Sequence, residues 1–245
     1  MLRFFRQIRQ KLITENRFSK YLLYGIGEIL LVVIGILIAL QINNWNNEIQ
    51  DREKEKYYLK SVRTSIELSQ NELDRVIRDA KLISSSADTL FLLLAREKYG
   101  LLNGIFLDSL LFRAADYSQI SLNDGGIQEI LNTGSLGIIT NDTIRVILAS
   151  WNERMHVIRK FEAETKELNQ KYVAYLNNYI NASRFLLDSV SVVIPEKKKT
   201  LLTDPLLRNY LERITGLHYD MHDMYSEEKR MLDSLSGLIK QHLRE

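Results

Sequence analysis

Hydrophobic positions along the chain form one continuous run and three long helical stripes. The run extends from Leu22 to Ile42, about 21 residues, which as a helix is ~31 Å long and matches the hydrocarbon core of a bilayer. Polar residues follow it, instead of the small residues that a signal peptidase needs. The pattern predicts an uncleaved transmembrane signal anchor over residues 21–45.

The three stripes repeat apolar residues every three or four positions, which predicts amphipathic helices of about 40 residues, or ~60 Å, each. The first consists of Leu59, Val62, Ile66, Ser69, Leu73, Val76, Ala80, Ile83, Ala87, Leu90 and Leu94. The second consists of Ile144, Leu148, Trp151, Met155, Ile158, Phe161, Thr165, Leu168, Tyr172, Leu176 and Tyr179. The third consists of Leu207, Tyr210, Ile214, Leu217, Met221, Met224, Glu228, Met231, Leu235 and Leu238, with the glutamate as the one misfit. Helices of equal length can bury such stripes in an antiparallel bundle.

Capping residues mark where the helices begin and end. Asn141 precedes the second stripe as an N-cap, and Asp204 precedes the third with a proline at the first helical position. Shorter helices are predicted over residues 104–115 and 124–132, the second of them closed by Gly134 in a left-handed cap.

Composition supports an all-α fold. Two prolines and eleven glycines in 245 residues are few for a sheet protein, which needs many turns. Residues 183–203 hold a β-branched run, Pro195 and three consecutive lysines, which predicts an extended connection between the second and third long helices. The predicted architecture is a transmembrane helix followed by an extracytoplasmic bundle of three long helices with short connecting helices.

Charge on either side of the apolar run predicts its orientation. Six bases and one acid precede it, whereas the 18 residues after Ile42 carry four of each. The positive-inside bias places the N-terminus in the cytoplasm. Residues 1–20 are then a basic amphipathic tail on the headgroups, and residues 46–245, which hold no second span, lie in the periplasm of a bacterium. Tyr21, Tyr24 and Trp45 mark the two membrane interfaces.

One acidic residue lies within the apolar run. On a helix, Glu28 shares a face with Val32, Gly35 and Ala39, where small residues allow a second helix to approach closely. A carboxylate facing lipid is costly, so a partner or a proton is expected. The residue either fixes the register of an oligomer, or carries a proton in an accessory subunit of a proton-linked envelope complex. In the third alternative it reaches the cytoplasmic interface, or pairs with a basic neighbour at the headgroups or with another subunit. These alternatives remain open at the level of the sequence.

Motifs for chemistry are scarce. His218 and His222 lie four residues apart on one helical face, a spacing that can chelate a divalent ion. Met221 and Met224 could add thioether ligands for copper, but both already belong to the third stripe. The chain has no cysteine for thiolate sites or disulfides, and no basic stripe with interleaved aromatic residues for nucleic acid. We expect neither an enzyme nor a cofactor, and no small-molecule substrate is identified.

The stretch ENRFSKYLLYGIGEILLVVIGILIALQINNWNNE resembles the N-terminal signature of a family of single-pass inner-membrane proteins, a domain of unknown function common in Bacteroidota. LNTGSLGIITNDTIRVIL and LLTDPLLRNYL are similar to further segments of that family, so the resemblance extends along the whole chain. It implies an inner-membrane location and no activity.

The expected partners are the lipid bilayer and either further copies of this chain or another membrane protein. The sequence therefore predicts a membrane-anchored scaffold or interaction protein that is oligomeric through its spanning helix. A periplasmic sensor is the other alternative, although its output would need a partner subunit, because only about 20 residues lie in the cytoplasm.

Overall fold

The computed structural model describes residues 18–181, 183–184 and 191–244. Its first helix, α1 (Phe18–Ala95), contains both the predicted membrane span and the first stripe. Backbone contacts divide the chain into two units, Met1–Glu55 and Lys56–Glu245, whereas the predicted domain boundary follows residue 45. The predicted amphipathic tail falls almost entirely outside the described residues.

Six further α-helices follow α1 in the described part of the chain. They are α2 (Gly104–Ala114), α3 (Gly125–Asn132), α4 (Asp142–Ala149), α5 (Trp151–Leu176), α6 (Pro195–Thr203) and α7 (Pro205–His242). Short 3-10 helices cover Tyr99–Leu101 and Ser135–Ile138, and an isolated antiparallel bridge joins Ile180 to Val193. No strand occurs in these residues, so the prediction of an all-α fold is confirmed for them.

The first stripe is confirmed residue by residue. Every one of its members from Leu59 to Leu94 is buried, including the polar Ser69. The alternation of three and four residues keeps these side chains on one face of α1, and that face packs against the rest of the second unit.

The second stripe was predicted as one helix, and this is wrong, because α4 ends at Ala149 and α5 begins at Trp151. A continuous helix would use the carbonyl of Ile147 to accept the amide of Trp151. Instead the guanidinium of Arg154 donates to that carbonyl at 2.9 Å and also to the hydroxyl of Ser150. The side chain stabilises the break and turns the chain between the two helices.

The third long helix begins where the capping residues predicted. Asp204 accepts the amide of Leu206 at 2.9 Å, and Pro205 occupies the first helical position of α7. Every second member of the third stripe was wrongly predicted to be a core residue. Each of these members is only partly buried, and the residue that follows it in the sequence is buried instead. The buried residues at these places are Leu211, His218, Tyr225, Leu232 and Ile239. Both patterns alternate three and four residues, so periodicity alone did not distinguish them. At two of the five places, Leu217 and Met224 were also more apolar than the buried His218 and Tyr225.

The connection between α5 and α7 was predicted as extended, but most of its described part is helical. Pro195 starts α6, in the first helical position where a missing amide costs nothing. Among the described residues of this connection, the extended portion lies around Val193, which bridges to Ile180. The shorter predicted helices are confirmed as α2 and α3, and Gly134 after α3 has the left-handed φ of 67° that its cap requires.

Two hydrophobic cores fill the second unit. The first core combines α1 as far as Ala80, α3, α4, the beginning of α5 and α7 from Met221 onward. The second core combines α1 from Ile83, α2, the end of α5, α6 and α7 as far as Ile214. Thus α1 and α5 both run from the first core to the second, and α7 runs in the opposite direction.

Side-chain contacts agree with these directions. Arg154 near the start of α5 pairs with Glu228 in the later part of α7, while Tyr175 near the end of α5 donates to Asp204 just before α7 begins. The connection from α2 through α3 returns the chain from the second core to the first.

Candidate functional site

The face predicted for helix association lies on one side of α1 in the first unit. Glu28, Val32, Gly35 and Ala39 are all exposed. A methyl group added at Gly35 would meet nothing within 4 Å, so the described residues leave space for a second helix there. The structure thus keeps these four residues together on one face, and nothing in the described part of the chain covers that face.

The apolar run around this face is exposed throughout. The segment that begins at Leu22 is long and apolar enough to cross a membrane, and its most apolar window has no buried residue in the described structure. Of the predicted interfacial residues, Tyr24 and Trp45 are exposed, whereas the side chain of Tyr21 lies outside the description. By length and composition this part of α1 is suited to be a membrane anchor or signal anchor.

The two candidate metal ligands do not form one site. His218 is 2% exposed, and its Nδ1 lies 3.0 Å from the carbonyl of Ile214 on its own helix. His222 is partly exposed, and its Nδ1 lies 3.1 Å from a carboxylate oxygen of Asp223. The described residues contain no group of three or more potential ligands placed to hold a metal ion.

A polar layer separates the two hydrophobic cores. We use this name for the four buried polar residues at the level where neither core reaches. They are Ser118, Glu162, Thr165 and His218. Three of them lie on the facing sides of α5 and α7, between Ile158 and Leu168 on one helix and between Ile214 and Met221 on the other. Sequence reasoning missed Ser118 and Glu162 entirely.

Glu162 is the hub of this layer. One of its carboxylate oxygens accepts the amide of Ile120 at 2.7 Å and the hydroxyl of Tyr225 at 2.9 Å. The other accepts from Arg159 at 2.7 Å, and Arg159 also donates to the carbonyl of Ile120. Burial, followed by the negative charge of Glu162, raises the pKa of Tyr225, so its hydroxyl stays protonated and donates. The layer fastens the loop after α2 to both α5 and α7.

His218 is the member of the polar layer whose ring has one nitrogen without a hydrogen-bond partner. Because Nδ1 faces the carbonyl of Ile214, it carries the proton of the neutral ring, and Nε2 is then an acceptor. Nε2 is buried and has no hydrogen-bond partner in the described structure. Burial lowers the pKa of His218, so the imidazole is neutral in the folded protein.

A second buried acid, Glu228, explains the misfit in the third stripe. It accepts two hydrogen bonds from Arg154, at 2.8 and 3.2 Å, across the contact between α5 and α7. The signal was present in the sequence as an acid on an apolar stripe. Finding its partner required the antiparallel register of the two helices, which the sequence did not supply.

An open groove of about 480 Å³ runs between α5 and α7 on their outer sides. The four charged residues in its lining pair with each other, Arg213 with Glu164 at 2.8 Å and Lys171 with Glu167 at 2.6 Å. Groups that neutralise one another in this way offer no strong site for a charged ligand.

The model of a family of unknown function, DUF6090, matches residues 28–210, about three quarters of the chain. The chain belongs to the DUF6090 family. The DUF6090 match begins at Glu28 inside the apolar run and continues through α2 to α6 into the first part of α7. The family match therefore includes most of the exposed apolar segment and most of the second unit. Membership of this family assigns no activity. Curated proteins and solved structures gave no match.

Proposed function

We propose that the protein is a single-pass membrane-anchored scaffold or interaction protein of the bacterial inner membrane. One observation supports the proposal of a membrane anchor. The large apolar residues from Leu22 to Ile42 are exposed, whereas the stripe from Leu59 to Leu94 on the same helix is buried. Exposed apolar surface of this extent favours lipid over water by about 25 cal/mol per Å². The bilayer is the solvent that fits the first segment.

We propose further that the N-terminus is cytoplasmic and that the second unit is a periplasmic helical bundle. The charge difference across the apolar run supports this orientation. The chain has no cysteine, so a single cysteine introduced at Gln10 or at Asn132 gives a clean topology test. A membrane-impermeant maleimide added to spheroplasts should label Asn132→Cys and spare Gln10→Cys. The reverse pattern contradicts the orientation.

The exposed face around Gly35 supports association between spanning helices. In that arrangement Glu28 lies within the helix interface, protonated or hydrogen-bonded, and fixes the register. The test is the oligomeric state of the full-length protein in mild detergent, with co-purifying proteins identified. Gly35→Leu should dissociate the assembly because it prevents close approach of two helices.

Gly27→Leu is the matched control for this test. Gly27 has the same open surroundings as Gly35 but lies about 80° away around the helix. An assembly that survives Gly27→Leu and not Gly35→Leu supports the interface. A monomer in the wild type, or equal effects of the two changes, removes the support for a scaffold assembled through α1.

Glu28 also permits the proton-linked alternative, because it is an ionisable residue within a lipid-facing segment. Glu28→Gln keeps the size and the hydrogen-bonding capacity of the side chain but cannot exchange a proton. We expect the variant to assemble as the wild type does and to complement a deletion strain. Assembly with failed complementation would favour a proton-carrying role over a scaffold.

A further inference from the structure

Apolar side chains protrude where α1 ends and α2 begins. Leu101 is 60% exposed and Ile105 is 62% exposed, and the ring of Phe106 beside them is also exposed. The two aliphatic residues flank the N-cap Asn103 and lie at a corner of the second unit, remote in sequence from the proposed span. Adjacent protruding apolar residues mark contact sites on protein surfaces.

Lysines surround this corner. Lys198 of α6 donates to the carbonyl of Leu102 at 2.9 Å, which places the start of α6 beside the apolar residues. Lys98 and Lys199 are exposed, and Lys197 donates to the carbonyl of Asn178. Together the segments 96–101 and 195–203 hold five bases and two acids, whereas the whole chain has a net charge of only +2.

An open groove of about 470 Å³ lies within the same corner. Tyr99, Pro195 and Leu202 form its apolar lining, and Lys198 and Lys199 form its charged rim. The corner thus combines protruding aliphatic residues, an apolar depression and excess positive charge. We call the set of Lys98, Leu101, Ile105, Phe106 and Lys197 to Lys199 the tip surface.

Backbone strain adds an independent sign. Glu97, the second residue after α1, has a left-handed φ of 54°, a conformation that glycine usually supplies at a helix end. Strain of this kind persists where the surrounding structure holds it, and it clusters at ligand-binding segments. Here it directs the chain sharply from α1 into the protruding turn.

We propose that the tip surface binds a lipid bilayer that contains anionic headgroups. Leu101 and Ile105 would enter the boundary between headgroups and acyl chains, and the lysines would lie at the level of the phosphates. An acidic polypeptide without apolar side chains would match the lysines equally well but would leave the two protruding residues in water. The proposal goes beyond the membrane anchor, because it gives the second unit its own membrane contact.

The experiment uses the full-length protein held in phosphatidylcholine nanodiscs and mixed with vesicles. Co-flotation is measured with equimolar phosphatidylglycerol and phosphatidylcholine vesicles and with pure phosphatidylcholine vesicles. We expect flotation with the anionic vesicles that weakens at high salt. Leu101→Asp should weaken binding about tenfold or more, through loss of one buried leucine. Lys98→Glu with Lys199→Glu should weaken it roughly fivefold or more for each lysine.

Leu68→Asp is the matched control, because Leu68 is 63% exposed on α1 and lies outside the tip surface. It should bind vesicles as the wild type does. Circular dichroism and the thermal midpoint verify that each variant folds, and the two-lysine variant tests the proposal independently of any apolar change. Absence of flotation, or equal losses in Leu68→Asp and Leu101→Asp, overturns the proposal. Salt-sensitive binding of polyglutamate without vesicle binding overturns it in favour of an acidic protein partner.

Discussion

Arg154 pairs with Glu228 and also stabilises the end of a neighbouring helix. The guanidinium holds both carboxylate oxygens of Glu228 on α7, and it also caps the end of α4 through the carbonyl of Ile147. It lies 5.6 Å above the ring of Trp151, which favours a cation there. One side chain therefore both breaks the predicted second helix and neutralises the acid on the third.

Removal of Glu228 should be costly. Its side chain is 3% exposed and that of Arg154 is 17% exposed, so Glu228→Ala leaves a largely buried cation without its partner. We expect a loss of about 3 kcal/mol in the free energy of unfolding. Denaturant unfolding in mild detergent measures it.

The neighbouring Glu227 supplies the control, because it pairs with Arg230 at the surface. Glu227→Ala should change the free energy of unfolding by less than about 1 kcal/mol. Similar losses for both alanine variants would show that the pair across α5 and α7 adds nothing beyond surface electrostatics.

The close approach of α3 to α1 gives a second prediction. A Cβ added at Gly126 would lie 2.5 Å from the backbone carbonyl of Ser61, and the amide of Gly126 donates to Ser65 at 2.9 Å. Backbone atoms cannot move aside as a flexible side chain does, so Gly126→Ala should destabilise by about 1–3 kcal/mol.

Gly125→Ala is the paired variant for that measurement. A Cβ at Gly125 meets only the side-chain oxygen of Asn123 at 4.0 Å, and alanine is the better helix former. Its thermal midpoint should equal or exceed that of the wild type. A midpoint for Gly126→Ala as high as that for Gly125→Ala would mean that α3 does not pack so closely on α1.

The sequence predicted those parts of the fold that depend on local signals. The stripe of α1 followed from periodicity alone, and the start of α7 followed from Asp204 and Pro205. The left-handed cap at Gly134 followed in the same way. Each of these features depends on residues within a few positions of one another. The local sequence is therefore enough to predict them.

The predictions that were wrong share one cause, which is that each depends on tertiary contacts. The break at Ser150 depends on Arg154 reaching back to α4 while α7 supplies an acid, and neither is visible as a helix breaker. The buried position of His218 depends on which of two similar periods faces the partner helices. The polar layer required Glu162 to meet the loop after α2, a contact between residues far apart in the chain.

The strained turn after α1 gives a third prediction. Glu97 holds a left-handed φ of 54°, which costs a residue with a Cβ about 1–2 kcal/mol. Glycine removes this cost but gives back part of the gain through the entropy of the unfolded chain. Glu97→Gly should therefore raise the stability by about 0.5–1 kcal/mol. Glu97→Ala keeps the Cβ and should give no such gain, and a gain of equal size would locate the effect in the lost charge.

Acid should destabilise the protein through His218. Burial depresses the pKa of this histidine in the folded state, whereas in the unfolded chain it titrates near 6.5. Below that pH the unfolded chain binds a proton that the folded chain refuses. The contribution of His218 to stability is therefore fully present above about pH 6.5 and is lost as the pH falls toward the depressed folded value.

The free energy of unfolding of the wild type should fall with pH below about 6.5, with a contribution from His218 of at most about 1.4 kcal/mol per pH unit. His218→Gln should flatten this slope, because the amide does not titrate, even though its absolute stability also changes. His222→Gln is the control, since His222 is partly exposed beside Asp223 and does not lie within the core. An unchanged slope in His218→Gln would mean that the imidazole gains a proton acceptor in the folded protein, and that Nε2 does not lie unpartnered between the two cores.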